Sequence, residues 1–192
     1  GNDAVAETVV YTLLATGIAG DGDGFDNAGD DGVINDVTTA ADDLTESTVS
    51  AAGAGDFIFG FESGEDKIKF DGTLEAALEA SGAAVRITSA GTDFNAAGVI
   101  VVDNSVATVA DFGDLSAVKA GLDTALHGST NVTANDEVIV VISKTSDNSQ
   151  HGIYYLKDVG GNADIDNSDL LSLIGIIDLD AAGDMAATDF IV

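Results

Sequence analysis

The sequence predicts a mainly β fold, sandwich- or roll-like, with many short strands, two short helices and Gly/Asp-rich loops. Three observations point there. Short runs of Val, Ile, Leu and Phe are divided by Gly, Asp and Asn, as strands divided by turns are. Helical spacing of apolar residues occurs in only two places. There is no Pro, where ordinary usage of about 5% would give roughly ten, so the 23 Gly together with Asp and Asn must make the turns. With 192 residues and 45% apolar content, burial can offset chain entropy in one sizeable core or two small ones.

Taken in order, Ala4 to Ile18 is rich in Val, Thr, Leu and Tyr and reads as one long or two short strands. Residues 20–36, GDGDGFDNAGDDGVIND, form an acidic glycine loop, followed by a weak strand or helix around Leu44 to Val49. Phe57-Ile58-Phe59 and Lys67-Ile68-Lys69-Phe70 are strands separated by a Glu62-Ser63-Gly64-Glu65-Asp66 turn, where Asp56, Glu65 and Asp66 serve as turn formers and caps. Thr73 to Ala80 reads as a short helix, with Leu74 and Leu78 on one side and Gly82 as its stop. Val85 to Ser89 and Gly98 to Asp103 are strands joined through Gly91 to Asn95.

The second helix carries the clearest signal. Asp114 caps it, Leu115, Val118, Leu122 and Leu126 form an apolar stripe, and Gly128 ends it. Val138 to Ser143 and Ile153 to Lys157 read as a hairpin over a Thr145-to-Gly152 loop. Within it, Tyr154 and Tyr155 read either as surface aromatics for carbohydrate contact or, as strand alternation requires, as one residue facing the core and one facing out. Leu170 to Leu179 is a mainly apolar run, and Phe190 to Val192 is a hydrophobic ending. The chain divides into residues 1–52, whose strands can be exchanged with a neighbouring subunit, and a β-rich unit over 53–192.

Charge narrows the function classes. Six Lys and Arg against 34 Asp and Glu leave a formal charge of −28. Such a chain repels nucleic acid phosphates and anionic lipid. Compaction is opposed by its own charge unless cations or salt screen it. Without Cys there is no disulfide or thiolate chemistry. No run reaches the roughly 18 apolar residues of a membrane span. No basic segment precedes an apolar stretch as in a classical signal peptide, and the chain opens at Gly1 as a fragment or processed product would.

Asp56 to Phe70, DFIFGFESGEDKIKF, resembles the segment that follows the glycine-rich repeats of RTX proteins, bacterial calcium-binding proteins exported by type I secretion. There the pattern runs aspartate, apolar, phenylalanine, two spacers, then Gly-x-Asp-x-Ile-x-apolar. Gly53-Ala54-Gly55 is similar to the tail of such a repeat. The strand pair Val138–Ser143 and Ile153–Lys157, then Leu170 to Val192, resembles the C-terminal region of the same group, which includes S-layer-like proteins and adhesins. No tandem run of the full repeat is present, so the resemblance does not extend to the calcium β-roll. Nor does it extend to the zinc protease domain of some relatives, because His127 and His151 stand without a His-Glu-x-x-His motif. By this resemblance the uncleaved ending Asp189, Phe190, Ile191 and Val192 is the export signal.

Two segments have the composition of cation sites. Asp21, Asp23, Asp26, Asp30, Asp31 and Asp36 crowd one loop, which is repulsive unless water, salt or a cation intervenes. A Ca²⁺ ion or a solvated acidic loop both answer to that. Asp158 to Asp169 resembles the loops of EF-hands and dockerins, with Asp158, Asn162, Asp164, Asp166 and Asp169 as oxygen ligands for Ca²⁺. It departs from them at Gly160, which has no side-chain oxygen, and at Asp169, which replaces the bidentate Glu. The alternative is a solvated turn between strands. No pair of carboxylates singles out a glycosidase, and no residue set identifies an enzyme.

The expectation is a secreted structural protein, extracellular or at the cell surface. It is an S-layer-like or filament-forming subunit, stabilised by Ca²⁺ and exported by type I machinery. Its partner is itself, in a homo-oligomer or filament built by strand addition through edges such as Ala4 to Ile18. The alternative is an adhesin or carbohydrate-binding module from the C-terminal part of a larger RTX protein, with a cell-surface glycan as partner.

Overall fold

The computed structural model describes residues 8–11, 45–48, 56–70, 78, 84–91, 97–126, 136–159 and 164–192. Within them the chain is mainly β and contains a mixed sheet. Strands β1 (Thr8–Tyr11), β2 (Thr45–Thr48), β3 (Asp56–Phe61) and β4 (Lys67–Phe70) come first, then β5 (Ala84–Ile87), β6 (Val99–Val102) and β7 (Thr108–Val109). Helix α1 (Leu115–Leu126) precedes the three long strands β8 (Glu137–Lys144), β9 (Asp147–Lys157) and β10 (Leu170–Leu179). A single 3-10 turn, Ala187–Asp189, leads into β11 (Phe190–Ile191).

Eight strands form one sheet in the order β2-β3-β10-β9-β8-β6-β5, with β7 pairing β8 beyond β6. The centre, β10-β9-β8, is antiparallel, whereas β3 joins β10, and β5, β6 and β7 join on the other side, in parallel. The other sheet is wholly parallel, in the order β1-β4-β11. It therefore places β1 and β11 on either side of β4, and β1 pairs within its own chain.

Alternation along the central strands makes two cores. Ile100, Val102, Val138, Val140, Ile142, Tyr154 and Leu156 face α1, and pack with its Val118, Leu122, Ala125 and Leu126. Val99, Val101, Ile139, Val141, Ile153, Tyr155, Ile174 and Ile177 face the opposite way, toward Ile68 and Phe70 of β4, Phe190 of β11 and Met185. A bulge at Ile174, between the pairs Leu173↔Tyr154 and Gly175↔Ile153, shifts the alternation of β10, so that Leu171, Leu173 and Ile176 face α1 and Ile174 and Ile177 face the other way.

The second helix follows the apolar stripe. Asp114 Oδ1 accepts from Ala117 N–H at 3.1 Å, the geometry of an N-cap. Leu115 departs from that stripe: it is exposed, while Ala125 is buried. The helix expected over Thr73 to Ala80 lies outside the described residues except for Leu78, which is buried.

Two expectations are corrected. The connection between β8 and β9 is a two-residue turn at Thr145-Ser146, not an eight-residue loop, because β9 begins at Asp147. Its polar start is supported by Asp147 Oδ1, which accepts both the N–H and the hydroxyl of Ser149. Tyr154 and Tyr155 are both buried, at 0% and 2% exposure, since both faces of central β9 are covered. The Glu62–Asp66 turn is present as expected, and it carries the chain from one sheet to the other. Glu62 N–H donates to Asp66 Oδ2 at 2.7 Å, Asp66 N–H returns to Glu62 O at 3.0 Å, and Gly64 supplies a φ of 97°.

Candidate functional site

The topology gathers carboxylates at one end of β8, β9 and β10. Asp136 precedes β8, Asp158 follows β9, and Asp164, Asp166 and Asp169 lead into β10. Asp158 N–H donates to Asp136 O at 2.9 Å, which joins the first two. Asp123 of α1 reaches the same end, where its Oδ1 accepts from Ile165 N–H at 3.0 Å. Asp136, Asp158 and Asp169 are buried; Asp164 and Asp166 are exposed.

These side chains already organise backbone. Asp169 Oδ1 accepts from Val159 N–H at 3.1 Å and its Oδ2 from Asp166 N–H at 2.8 Å. Asp166 Oδ1 takes the N–H and the hydroxyl of Ser168 at 2.7 and 2.6 Å. Lys119 of α1 donates to Asp169 O at 2.6 Å, and Lys157 pairs with Glu137 at 2.5 Å. The geometry is that of a closed polar turn. Among the described residues no group of three or more His, Asp or Glu side chains is placed to hold a metal ion. Asn162 lies outside the described residues, as do Asp21, Asp23, Asp26, Asp30, Asp31 and Asp36.

The C-terminal residues are built into the fold. Asp189 is fully buried, and its carboxylate accepts three hydrogen bonds. Oδ2 takes the Ser63 hydroxyl and Ala186 N–H, both at 2.7 Å, and Oδ1 takes Gly64 N–H at 2.8 Å. The Lys67 ammonium lies 4.0 Å from Oδ1. Asp189 thus clamps the inter-sheet turn to the last strand. Phe190 is buried and stacks on Phe70, with ring centroids 6.2 Å apart and planes 3° from parallel. Ile191 is 41% exposed and Val192 packs against the core.

A second polar group was not foreseen from the sequence. Ser143 and His151 are cross-strand partners, and Asp184 of the C-terminal segment lies over them. The Arg86 guanidinium donates to Asp103 Oδ2 at 2.7 Å and Asp184 Oδ2 at 2.6 Å, and the Ser143 hydroxyl donates to Asp184 Oδ1 at 3.2 Å. Ser149 donates to Asp178 Oδ1 at 2.8 Å. The hydroxyl and N–H of Ser105, with Arg86 behind them, lower the Asp103 carboxyl to about 2. Burial pushes His151 below its usual range and both tyrosines above theirs.

One signal of this local chemistry was present in the sequence. Asp-Asn-Ser occurs at 103–105, 147–149 and 166–168, and in each copy the Asp Oδ1 accepts from both the N–H and the hydroxyl of the Ser. That local bonding explains why these acids sit at tight turns. Nothing in the sequence placed Arg86 beside Asp184.

Comparison with family models, with curated proteins and with solved structures gave no match.

Proposed function

We propose that the protein is a secreted structural subunit that Ca²⁺ stabilises and that assembles with copies of itself outside the cell. The observation that carries this reading is the gathering of Asp123, Asp136, Asp158, Asp164, Asp166 and Asp169 at one end of the sheet, in a chain of charge −28. So many carboxylates at one end raise the free energy of the folded state unless cations attend them. Hard divalent cations take oxygen ligands of this kind, and an ion bound only by the folded state stabilises it by mass action. In this reading the acidic loop holding Asp21, Asp23, Asp26, Asp30 and Asp31 is a Ca²⁺ site, and cations attend the carboxylates at the end of the sheet. The two sheets act as a sandwich, supported by a core that takes side chains from both.

Assembly follows from the sheet edges. Strands β1 and β11 bound the three-stranded sheet, and β2 and β5 bound the larger one. Their outer edges, which pair with no strand among the described residues, are templates for strand addition by a neighbouring copy. Export by type I machinery is the reading given to Asp189–Val192. That segment would be read before folding, since Asp189 and Phe190 are buried afterwards.

The test is melting in CaCl₂ and in NaCl at matched ionic strength, with light scattering and electron microscopy on the same samples. A higher Tm and larger particles in CaCl₂ alone support the reading. An unchanged monomer in both salts overturns it.

A further inference from the structure

His151 is fully buried in central β9, opposite Ser143 of β8 and Ile177 of β10. Its Nδ1 lies 3.2 Å from Ser149 O, so in the neutral ring Nδ1 carries the proton and Nε2 presents a lone pair. Nε2 has no hydrogen-bond partner. It faces Asp184 Oδ1 at 4.0 Å, with the two side chains 1% and 8% exposed. Two acceptors therefore confront each other in a nearly dry place.

The Asp184 carboxylate is one of the ties that hold the last thirteen residues to the larger sheet, through Arg86 and Ser143. Nearby ties are Gly183 N–H to Asn148 O at 3.4 Å and the buried Met185. We propose that His151 makes the docking of Asp180 to Val192 an acid-sensitive latch: Asp184 holds the segment through Arg86 and Ser143 while His151 is neutral, and the segment is released when His151 takes a proton.

The charged groups around the ring set the direction. Asp184 from the C-terminal segment and Asp178 from β10 attract an imidazolium, whereas Arg86 from β5 repels it. Asp103, just after β6, is engaged by Arg86 and Ser105. β8 presents the neutral Ser143 and then Lys144, whose ammonium is turned to Gln150. Asp184 is already neutralised by Arg86, so its pull on a second cation is reduced. Burial outweighs it and holds His151 below its ordinary range. A base depressed in the closed state is protonated preferentially in the open one. Closure is then unaffected at high pH and weakens as pH falls below about 6.5, the ordinary value for His.

Hydrogen exchange of the full chain at pH 7.5 and 5.5, corrected for intrinsic rates, reads this directly. Exchange in peptides covering Asp180 to Val192 rises about tenfold, the limit for one proton taken up only by the open state. Peptides from β8 stay unchanged. His151→Gln abolishes the pH response and His127→Gln retains it. In the wild-type chain the His151 ring C–H signals of the docked state titrate below the pH range where exchange begins to rise, as a ring protonated preferentially in the open state must, which keeps the test valid should His151→Gln fail to fold. Slower or unchanged exchange at pH 5.5, an undiminished response in His151→Gln, or a docked-state His151 that titrates at or above the ordinary value for His overturns the latch.

Discussion

The two faces of the eight-stranded sheet are closed by different means. One face is covered by α1, which lies between β7 and β8 in the chain and packs on the strands that flank it. That contact is mainly apolar; the polar ties on this side are Lys119 to Asp169 O, Ile165 N–H to Asp123 Oδ1 and, just before the helix, the Tyr154 hydroxyl donating to Phe112 O at 2.8 Å. The other face meets β4, Met185 and β11, drawn from distant parts of the chain. Here the contacts include buried polar groups: Asp189, Ser143 and His151. An apolar surface attracts without regard to direction, which suffices when the chain has already brought the helix near. Remote segments lose more entropy on closure and have more wrong registers available. Directional carboxylate bonds at Asp189 and Asp184 select one of them.

The strongest way to break this contrast is Asp189→Ala. It leaves the Ser63 hydroxyl and the N–H groups of Gly64 and Ala186 without their shared acceptor. Hydrogen bonds to a charged group contribute about 1.5–3 kcal/mol each and are not additive, so a loss of about 4 kcal/mol is expected. Urea unfolding measures it. Asp189→Asn keeps one acceptor oxygen and should lose about half as much. A loss below about 1 kcal/mol would mean that the stack of Phe190 on Phe70, and not the carboxylate, fixes the last strand.

The helix-covered face is tested by Gly152→Ala. A Cβ at Gly152 would stand 2.7 Å from Tyr154 Cε2 and 2.8 Å from Phe112 Cδ1. Both rings are buried, so the core must shift, at about 2 kcal/mol. Adding Phe112→Leu, which removes one of the rings, should recover part of that loss; a double-mutant cycle measures the coupling. Additive losses would show that the strain lies elsewhere.

The same contrast explains what was legible in the sequence. Local features were: α1 with its Asp114 cap, the run Leu170 to Leu179, and the strands at Lys67–Phe70 and Val99–Val102 all follow from side-chain period and punctuation. Partners distant in sequence were not. Phe57–Phe59 and Lys67–Phe70 are adjacent and alike in pattern, yet they enter different sheets, because pairing with β10 and with β11 decides their place. Tyr154 and Tyr155 misled for the same reason. Alternation separates the faces of a strand, but only the whole topology shows that both are covered. At the acidic end, the run from Asp158 to Asp169 was visible. That Asp166 and Asp169 bond backbone N–H groups was not, since an aspartate in a turn and an aspartate on a cation read alike.

Asp114→Ala gives the smallest effect and the finest test of local closure. Asp114 Oδ1 caps Ala117 N–H, and Asp114 O accepts from Val118 N–H at 2.9 Å, so the side chain closes the first turn of α1 at an exposed position. Removing the cap costs about 1 kcal/mol, and Asp114→Ser, which keeps an acceptor there, should recover most of it. If α1 closes its face on its own, faster hydrogen exchange in Asp114→Ala is confined to the first turn of the helix and the strands beneath it. The segment from Asp180 to Val192 should exchange as in the wild type. Equal acceleration at both places would show that the two faces open together, and that the sheet between them transmits what happens on one side to the other.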